Sequence, residues 1–493
     1  MSTILNAVTY PPTLTEEETT NLAIALRDWS LSHGLVIRAP TETNAADESS
    51  VHVPLTLHPS PFPKNLFDQA RGLQTAFNEL YAKVADDSEF LNRITEELAG
   101  VDEFMSDLWK LHLEVEEITE GVPAQPLTLG LFRSDYLLHT APTAEPCIRQ
   151  VELNTISASF GGLSSLVANC HKFLNKSGLY GVATGSELLK DESMPVNPAA
   201  RGLAKGLGVA HNAYGVKGSI VLFVVQKFER NAFDQRWLEY YLLEDFGVVS
   251  VRASLEEIAE SGKFDPITKE LRYKGRHVAV VYYRAGYTPT DYTEPAAWEA
   301  RKMMELSKAI KCPSLATHFA GAKKVQQVLV DELVLAKFVP DPDVRSQIRA
   351  TFADILPLDD SDLGKKARKL IETCPEKYVL KPQREGGGNN VYREKIPGYL
   401  RELNDETLWR GYILMELIEP PQDVQNAIIR AGKVRKGNVI SELGVFGCVL
   451  WDITTHEIKQ NFEAGWLLRT KFADSEEGGV AAGFGSIDSV LLI

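Results

Sequence analysis

The sequence predicts an α/β protein in which helices layer against sheet, and three observations carry that prediction. Ser219-Ile-Val-Leu-Phe-Val-Val-Gln226 is a continuous apolar run, the pattern of a parallel strand buried on both faces. His277-Val-Ala-Val-Val-Tyr-Tyr283 repeats it, and a shorter strand, residues 247–251, lies between them after a helix carrying Trp237, Tyr240 and Tyr241. Residues 219–295 therefore read as a doubly wound parallel-sheet portion. Helical periodicity fills residues 66–118, for example at Phe104, Leu108 and Leu111, and those helices read as scaffold. At 493 residues the chain has room for two or three domains and a large core.

In chain order, Thr15-Glu16-Glu17-Glu18 is a capping box, followed by Leu22, Leu26 and Trp29 at helical spacing and Gly34 as a stop. Residues 129–136 predict a strand ending in Arg133, Ser134 and Asp135. The next strand, residues 148–154, places Glu152 and Asn154 on one face by the period of two. Two hard oxygen ligands at a strand end form half a Mg²⁺ site, or simply the solvated face of a strand. The small residues of Thr155-Ile-Ser-Ala-Ser-Phe-Gly-Gly162, leading into a helix, suit a ligand lying against the backbone. Arg284 and Tyr287 follow the strand at 277–283, where open α/β sheets bind ligands; a carboxylate fits them, and so does plain turn packing of Tyr287.

Helices are predicted through 296–310 and 320–337, the second starting near Gly321. Lys323 and Lys324 at that start oppose the helix dipole, which becomes sensible if an anion binds there. Residues 340–375 read as charged and helical. In residues 376–392, EKYVLKPQREGGGNNVY, a short strand delivers Lys381, and Glu385 precedes Gly386, Gly387 and Gly388. A lysine, a carboxylate and backbone N–H groups left open by glycine suit a polyphosphate with its metal. A glycine-rich hairpin tip with solvated charges fits the same residues. The motif is neither a P-loop nor a dinucleotide fingerprint. Residues 412–420 read as a buried strand in which Met415 either lines a flat slot for a base or packs in the core. Glu442, in the apolar strand 439–450, needs a partner. Arg469 and Lys471 share one face of the last strand, before a glycine-rich loop at 476–483 able to close over a substrate.

Composition excludes several classes. The net charge is −15, from 52 basic and 67 acidic residues, which argues against a nucleic-acid or anionic-membrane binder. Five scattered cysteines without C-x-x-C suggest reduced thiols in the cytosol rather than disulfides or zinc. No signal-like segment opens the chain, and no apolar run reaches bilayer length, so a cytoplasmic protein is expected.

Three oxygen ligands (Glu152, Asn154, Glu385), four cations (Lys323, Lys381, Arg469, Lys471) and two glycine-rich loops together describe an ATP·Mg²⁺ site with extra positive groups for a carboxylate-bearing substrate. At this point the sequence resembles the eukaryotic-type glutathione synthetases of the ATP-grasp superfamily. The resemblance runs from about residue 15 to the C-terminus. It rests on VELNTISASFGGL at 151–163, ERNAFDQR at 229–236, LKPQREGGGNNVY at 380–392, SELGVFG at 441–447, and LLRTK with GGVAAG between 467 and 483.

The resemblance implies a circularly permuted ATP-grasp fold with a parallel-sheet substrate-binding domain and a lid. It divides the chain into a helical and ATP-grasp portion bearing the Mg²⁺-ligand strand (1–215), an α/β substrate-binding domain (216–320), a helical ATP-grasp portion (321–375), a lid with the glycine-rich loop (376–422) and a C-terminal ATP-grasp portion with a substrate loop (423–493). Glu152, Asn154 and Glu385 match Mg²⁺ ligands, and Lys323 and Lys381 match the lysines on the ATP phosphates. Gly386, Gly387, Gly388, Asn389, Asn390 and Tyr392 match further nucleotide contacts. So do Met415, Glu416, Leu417, Ile418, Glu442 and Lys471, with Glu477 standing where some relatives carry Asp. Arg133, Ser157, Ala158, Ser159 and Arg469 match the peptide site. Glu229, Arg230, Asn231 and Gln235 belong to it as well, as do Arg284, Tyr287, Val480 and Ala481. Ala285 stands where some relatives have Asp in R-D-G-Y.

The implied activity is ATP-dependent joining of γ-glutamylcysteine and glycine through an acyl phosphate, in a homodimer, with Arg133, Lys323, Lys381 and Arg469 stabilising the transferring group. A related acceptor (β-alanine or serine), another dipeptide, an ATP-grasp phosphotransferase and a silent nucleotide-binding scaffold are the alternatives.

Overall fold

The computed structural model describes residues 10–39, 49–141, 145–181, 188–383, 389–476, 479–480 and 485–493. Its centre is a seven-stranded, mostly antiparallel sheet ordered Gln425–Arg430, Leu55–Thr56, Ser486–Asp488, Glu457–Phe472, Lys433–Asp452, Leu127–His139, Cys147–Asn154. Gln425–Arg430 also pairs with the start of Lys433–Asp452, so that end of the sheet closes on itself. Both faces are covered. Leu443, Val445, Val449 and Trp451 point into one core, shared with Phe67 and Phe77 of helix Lys64–Asp86. Phe446, Cys448 and Leu450, one residue out of phase, point into the other, shared with Leu203 and Leu207 of helix Ala199–Tyr214. Alternation along one strand thus feeds two cores.

The strand carrying Arg133, Ser134 and Asp135 does not end there. It continues to His139 because Lys433–Asp452 pairs with it from Leu127 to Leu137. The predicted capping box is present, with Thr15 and Glu18 bonding reciprocally around the start of helix Glu16–His33, and Gly34 ends that helix in the left-handed conformation.

The second sheet holds Ser250–Ala253, Ile220–Val224, Arg276–Tyr283 and Ile310–Cys312 side by side in parallel. Two details differ from expectation. Gly247 is the left-handed cap of helix Ala232–Phe246, so the strand begins only at Ser250. The helix predicted over 296–310 is Pro295–Leu306, and residue 310 opens a strand because Val280 to Tyr282 offers it a parallel partner. The helical stretch predicted over 320–337 is likewise broken, into Lys323–Leu329 and Glu332–Phe338, after a separate helix, Leu315–Ala320, that ends where it was expected to start.

A third, antiparallel sheet runs Ile355–Pro357, Tyr412–Glu416, Tyr378–Pro382, Val391–Tyr392. Its first strand lies inside the stretch expected to be helical, and a division of the chain at residue 376 leaves it apart from the sheet it completes. Helices Asp362–Thr373 and Lys395–Glu402 cover one face through Ala367, Ile371, Ile396 and Leu400. The other face, with Val379, Ile413 and Met415, looks onto the cleft described next. Among the described residues no helix is long and apolar enough to cross a membrane.

Candidate active site

Strand pairing, rather than closeness in sequence, assembles the site. Arg133 and Asp135 share a face of Leu127–His139. Arg133 Nε and Nη2 donate to Asp135 Oδ1 and Oδ2, each at 2.6 Å, in a buried bidentate pair. The edge strand Cys147–Asn154 sets Asn154 against Arg133 and Glu152 against Asp135. Asn154 Nδ2 donates to Asp135 Oδ2 at 3.0 Å. A carboxylate only accepts, so this bond identifies Oδ1 as the amide's remaining polar atom. On the other side, Lys433–Asp452 and Glu457–Phe472 pair Glu442 with Arg469. Arg469 forms an ion pair with Glu442, and its Nη2 also donates to Asp135 Oδ2 at 3.0 Å, across 334 residues of sequence. Asp135 is therefore the hub that orients two arginines and an amide.

Burial works to raise the pKa of Glu152, but Lys323, Lys381, Arg469 and Arg133 outweigh it and hold the carboxyl at about 2. It is ionised at every pH of interest, as a metal ligand or counter-charge must be. Burial works against the charge on Arg469, and Glu442 and Asp135 outweigh it, raising its pKa. Lys323 lies 3.5 Å from Glu152 Oε2. Its neighbour Lys324 turns instead to Glu97, at 3.3 Å, and Asp359, at 3.9 Å. Of the two lysines that oppose the helix dipole, one serves the cleft and the other ties the helix to its surroundings.

The third sheet supplies the opposite wall. Alternation puts Tyr378 and Leu380 against its own helices and leaves Val379 and Lys381 facing the cleft. Lys381 Nζ donates to the Val151 carbonyl at 3.0 Å, which brings the wall against the Glu152 strand. Met415, Leu417, Ile418 and Val379 form an apolar slot with Tyr392 and Ile440. The remaining wall comes from the parallel sheet. Arg284, at the end of Arg276–Tyr283, donates from Nη1 to the Ala158 carbonyl at 2.7 Å and from Nη2 to Ser159 Oγ at 2.7 Å. Asp234, buried in helix Ala232–Phe246, accepts from the backbone N–H groups of Phe160, Gly162 and Leu163, so it caps the helix that follows residues 157–159. Together these walls enclose about 530 Å³.

Of the residues expected at the site, the cleft brings together Arg133, Glu152, Asn154, Lys323, Lys381 and Arg469. Ser157, Ser159, Glu229, Asn231, Arg284, Tyr287 and Val480 line it too, as do Asn389, Asn390, Tyr392, Glu416, Glu442 and Lys471. Three expected peptide residues are absent from its lining. Ala158 is buried and contributes its carbonyl to Arg284. The Arg230 guanidinium donates to the Arg38 carbonyl. Gln235 is buried, donating to Glu229 Oε2 at 2.6 Å and accepting from Arg252 at 2.7 Å, so it braces Glu229 from behind. Glu385, Gly386, Gly387, Gly388, Glu477 and Ala481 lie outside the described residues. Sequence reasoning missed the roles of Asp135, Asp234 and Arg252, whose partners come from other elements. Gln226, which lines the cleft beside Glu229, carried a legible signal: it ends the apolar strand run at 219–226.

The donor set fits a hard divalent cation. Glu152 is ionised, the Asn154 amide oxygen is left over from its bond to Asp135, and both line the same cleft wall. Among the described residues no cluster of three His, Cys, Asp or Glu side chains could hold a metal alone.

A long-stranded, mostly antiparallel sheet and a smaller antiparallel sheet that face each other across a cleft of lysines, arginines and carboxylates define a protein of the ATP-grasp class. A model of the eukaryotic glutathione synthase ATP-binding domain matches residues 16–492, and the chain belongs to that family. It is 40% identical over 499 residues to the glutathione synthetase large chain of Schizosaccharomyces pombe, covering 97% of this chain and 98% of the relative. It is 41% identical over 445 residues to a chloroplastic glutathione synthetase of Solanum lycopersicum, covering 90% and 78%. Among solved structures, a glutathione synthetase-like effector from Globodera pallida shares the fold, with a TM-score of 0.76, 22% identity and 98% of each chain covered.

Proposed function

We infer that the chain is the ATP-dependent ligase that joins γ-glutamylcysteine and glycine into glutathione, releasing ADP and phosphate. Family membership across nearly the whole chain supports this reading. The observation that carries it is the convergence of Glu152, Asn154, Lys323, Lys381, Arg133 and Arg469 on one cleft, between an apolar slot and the Arg284 wall.

The slot around Met415, Leu417 and Ile418 takes the adenine, and Lys323 and Lys381 take the phosphates. Glu152 and the Asn154 oxygen would hold Mg²⁺, with Glu385 as the third ligand that the family resemblance implies, and the ion would neutralise polyphosphate charge. Arg284, Tyr287, Glu229 and Asn231 hold the dipeptide, with its cysteinyl carboxylate toward Arg133 and Arg469. A carboxylate is a poor acyl donor, so it first attacks the γ-phosphoryl group and expels ADP. The glycine amine then displaces phosphate from the acyl phosphate. Positive groups already fixed by Asp135 and Glu442 meet the developing charge without reorganising, the main source of rate in such a site.

Purified protein given Mg²⁺, ATP and γ-glutamylcysteine is expected to release ADP continuously, beyond one equivalent per site, only when glycine is added, with glutathione forming in equal amount. ADP release indifferent to glycine, or larger with β-alanine or serine, would remove the acceptor assignment. No covalent nucleophile is required. The described cysteines carry no disulfide, and burial pushes the thiols of Cys170, Cys312 and Cys448 up. Cys448→Ser is therefore expected to cost about 1–3 kcal/mol of stability, by burying a hydroxyl in an apolar core, while the folded enzyme keeps its turnover. Loss of turnover at unchanged fold would overturn that. A homodimer is proposed from the family resemblance, and cytoplasmic residence from the unpaired cysteines.

A further inference from the structure

We propose that Asp291 and Gln226 act as a coupled pair that shapes the peptide end of the cleft, Asp291 as the positioning residue and Gln226 as the cleft-facing acceptor it orients. This rests on the assignment of that end of the cleft to the dipeptide.

Asp291 lies past the Arg284–Tyr287 turn, in a short 3₁₀ segment, Pro289–Asp291. A capping box there needs only the contacts to Thr288. The carboxylate does more. Its Oδ2 accepts from the backbone N–H of Gly286 at 2.9 Å, of Tyr287 at 3.2 Å and of Thr288 at 3.2 Å, and from Thr288 Oγ1 at 3.1 Å. This nest fixes the turn that presents Arg284 and Tyr287 to the cleft. Only glycine suits position 286, where φ is +89° and a Cβ would meet the Tyr292 hydroxyl at 2.9 Å.

The other oxygen, Oδ1, accepts from Gln226 Nε2 at 2.9 Å. Gln226 follows strand Ile220–Val224 and lines the cleft next to Glu229, Arg284 and Tyr287. A carboxylate has no proton to donate, so the bond dictates which end of the amide it receives. The nitrogen is held by Asp291, and the carbonyl oxygen remains as the acceptor offered to the cleft. An acceptor beside the Glu229 carboxylate is matched to a protonated amine, as on the γ-glutamyl end of the dipeptide.

The substitution Asp291→Asn separates this role from simple turn support. The new side-chain amide keeps one acceptor oxygen for the turn and places an NH₂ group opposite Gln226. The glutamine then turns over and presents its own NH₂ to the cleft, reversing the polarity offered to the ligand. Gln226→Glu in that background restores an oxygen on both sides.

The test is steady-state ADP release with glycine, ATP and γ-glutamylcysteine, each varied in turn. D291N is expected to raise KM for the dipeptide by about tenfold, leaving KM for ATP within about twofold of wild type. D291N/Q226E is expected to recover most of that loss. A wild-type dipeptide KM in D291N, an equal rise in both KM values, or a double variant no better than D291N would each overturn the proposal. If D291N does not fold, Gln226→Ala decides, because it leaves the turn intact: a dipeptide KM raised alone supports the pair, and an unchanged one overturns it. If the wild-type enzyme does not use γ-glutamylcysteine at all, the functional reading falls. The pair is then judged by hydrogen exchange at Gly286 and Tyr287 in Gln226→Ala and D291A. Faster exchange in D291A alone supports Asp291 as the turn's holder, and equal exchange in both overturns it.

Discussion

Arg469→Met is expected to lower kcat by about 10²–10³-fold, the usual effect of removing one fixed donor aimed at developing charge. The structure adds a second consequence. Arg469 is shared between Glu442 and the buried Asp135, and its loss leaves both carboxylates facing each other with less compensation. Removing one partner of a buried ion pair costs about 3–5 kcal/mol, so the variant should also melt earlier. Arg469→Lys keeps a positive charge but puts it on a compact, strongly hydrated ammonium in place of the planar guanidinium whose Nη2 meets both carboxylates. It should recover part of the stability and less of the rate. Steady-state ADP release alongside thermal unfolding separates the two effects. A methionine variant with near-wild-type kcat would remove Arg469 from the chemistry, whatever its melting temperature.

Glu152→Gln is the second large effect. The substitution keeps the shape and one oxygen and deletes a charge that four cations hold ionised. Activity at ordinary Mg²⁺ should fall by about 10²-fold or more, and the Mg²⁺ concentration needed for half-maximal rate should rise. Titrating Mg²⁺ at fixed ATP is the direct measurement. A rate loss with an unmoved Mg²⁺ dependence would reassign Glu152 to counter-charge for Lys323 and Lys381. The pH profile is a second check. Because the Glu152 pKa is lowered, its ionised form and the stability that form contributes persist through neutral pH. They are lost only as pH falls toward about 2. Any acid limb of activity near neutrality must come from another group, and E152Q should leave that limb in place.

Local rules reached far into this chain. The capping box at Thr15 and Glu18 and the helix stop at Gly34 are short-range chemistry, and they stand as read. The apolar runs at 219–226 and 277–283 told of strands buried on both faces, and the two strands pair in parallel. The period of two put Glu152 with Asn154 and Arg469 with Lys471 on shared faces, and each pair lines the cleft. Motif order was enough for the family.

What stayed hidden depended on a distant partner. Ile355–Pro357 is three residues long, too short for periodicity to register, and it is a strand only because Tyr412–Glu416 passes beside it. Helical patterning over 320–337 could not reveal the break between Lys323–Leu329 and Glu332–Phe338. The same limit applied within the site. ERNAFDQR announced polar residues, but the fold sent Arg230 to Arg38, buried Gln235 behind Glu229 and made Asp234 a helix cap. Asp135 became the hub of two arginines because antiparallel register set its strand beside Cys147–Asn154 and near Arg469. Periodicity determines which way a side chain faces, and so the sequence alone could set Glu152 with Asn154 and Arg469 with Lys471 on shared faces, while the other expected site residues rested on the family resemblance. Which of them touch, and which merely brace the others, was decided by strand register across hundreds of residues, where no local preference reaches.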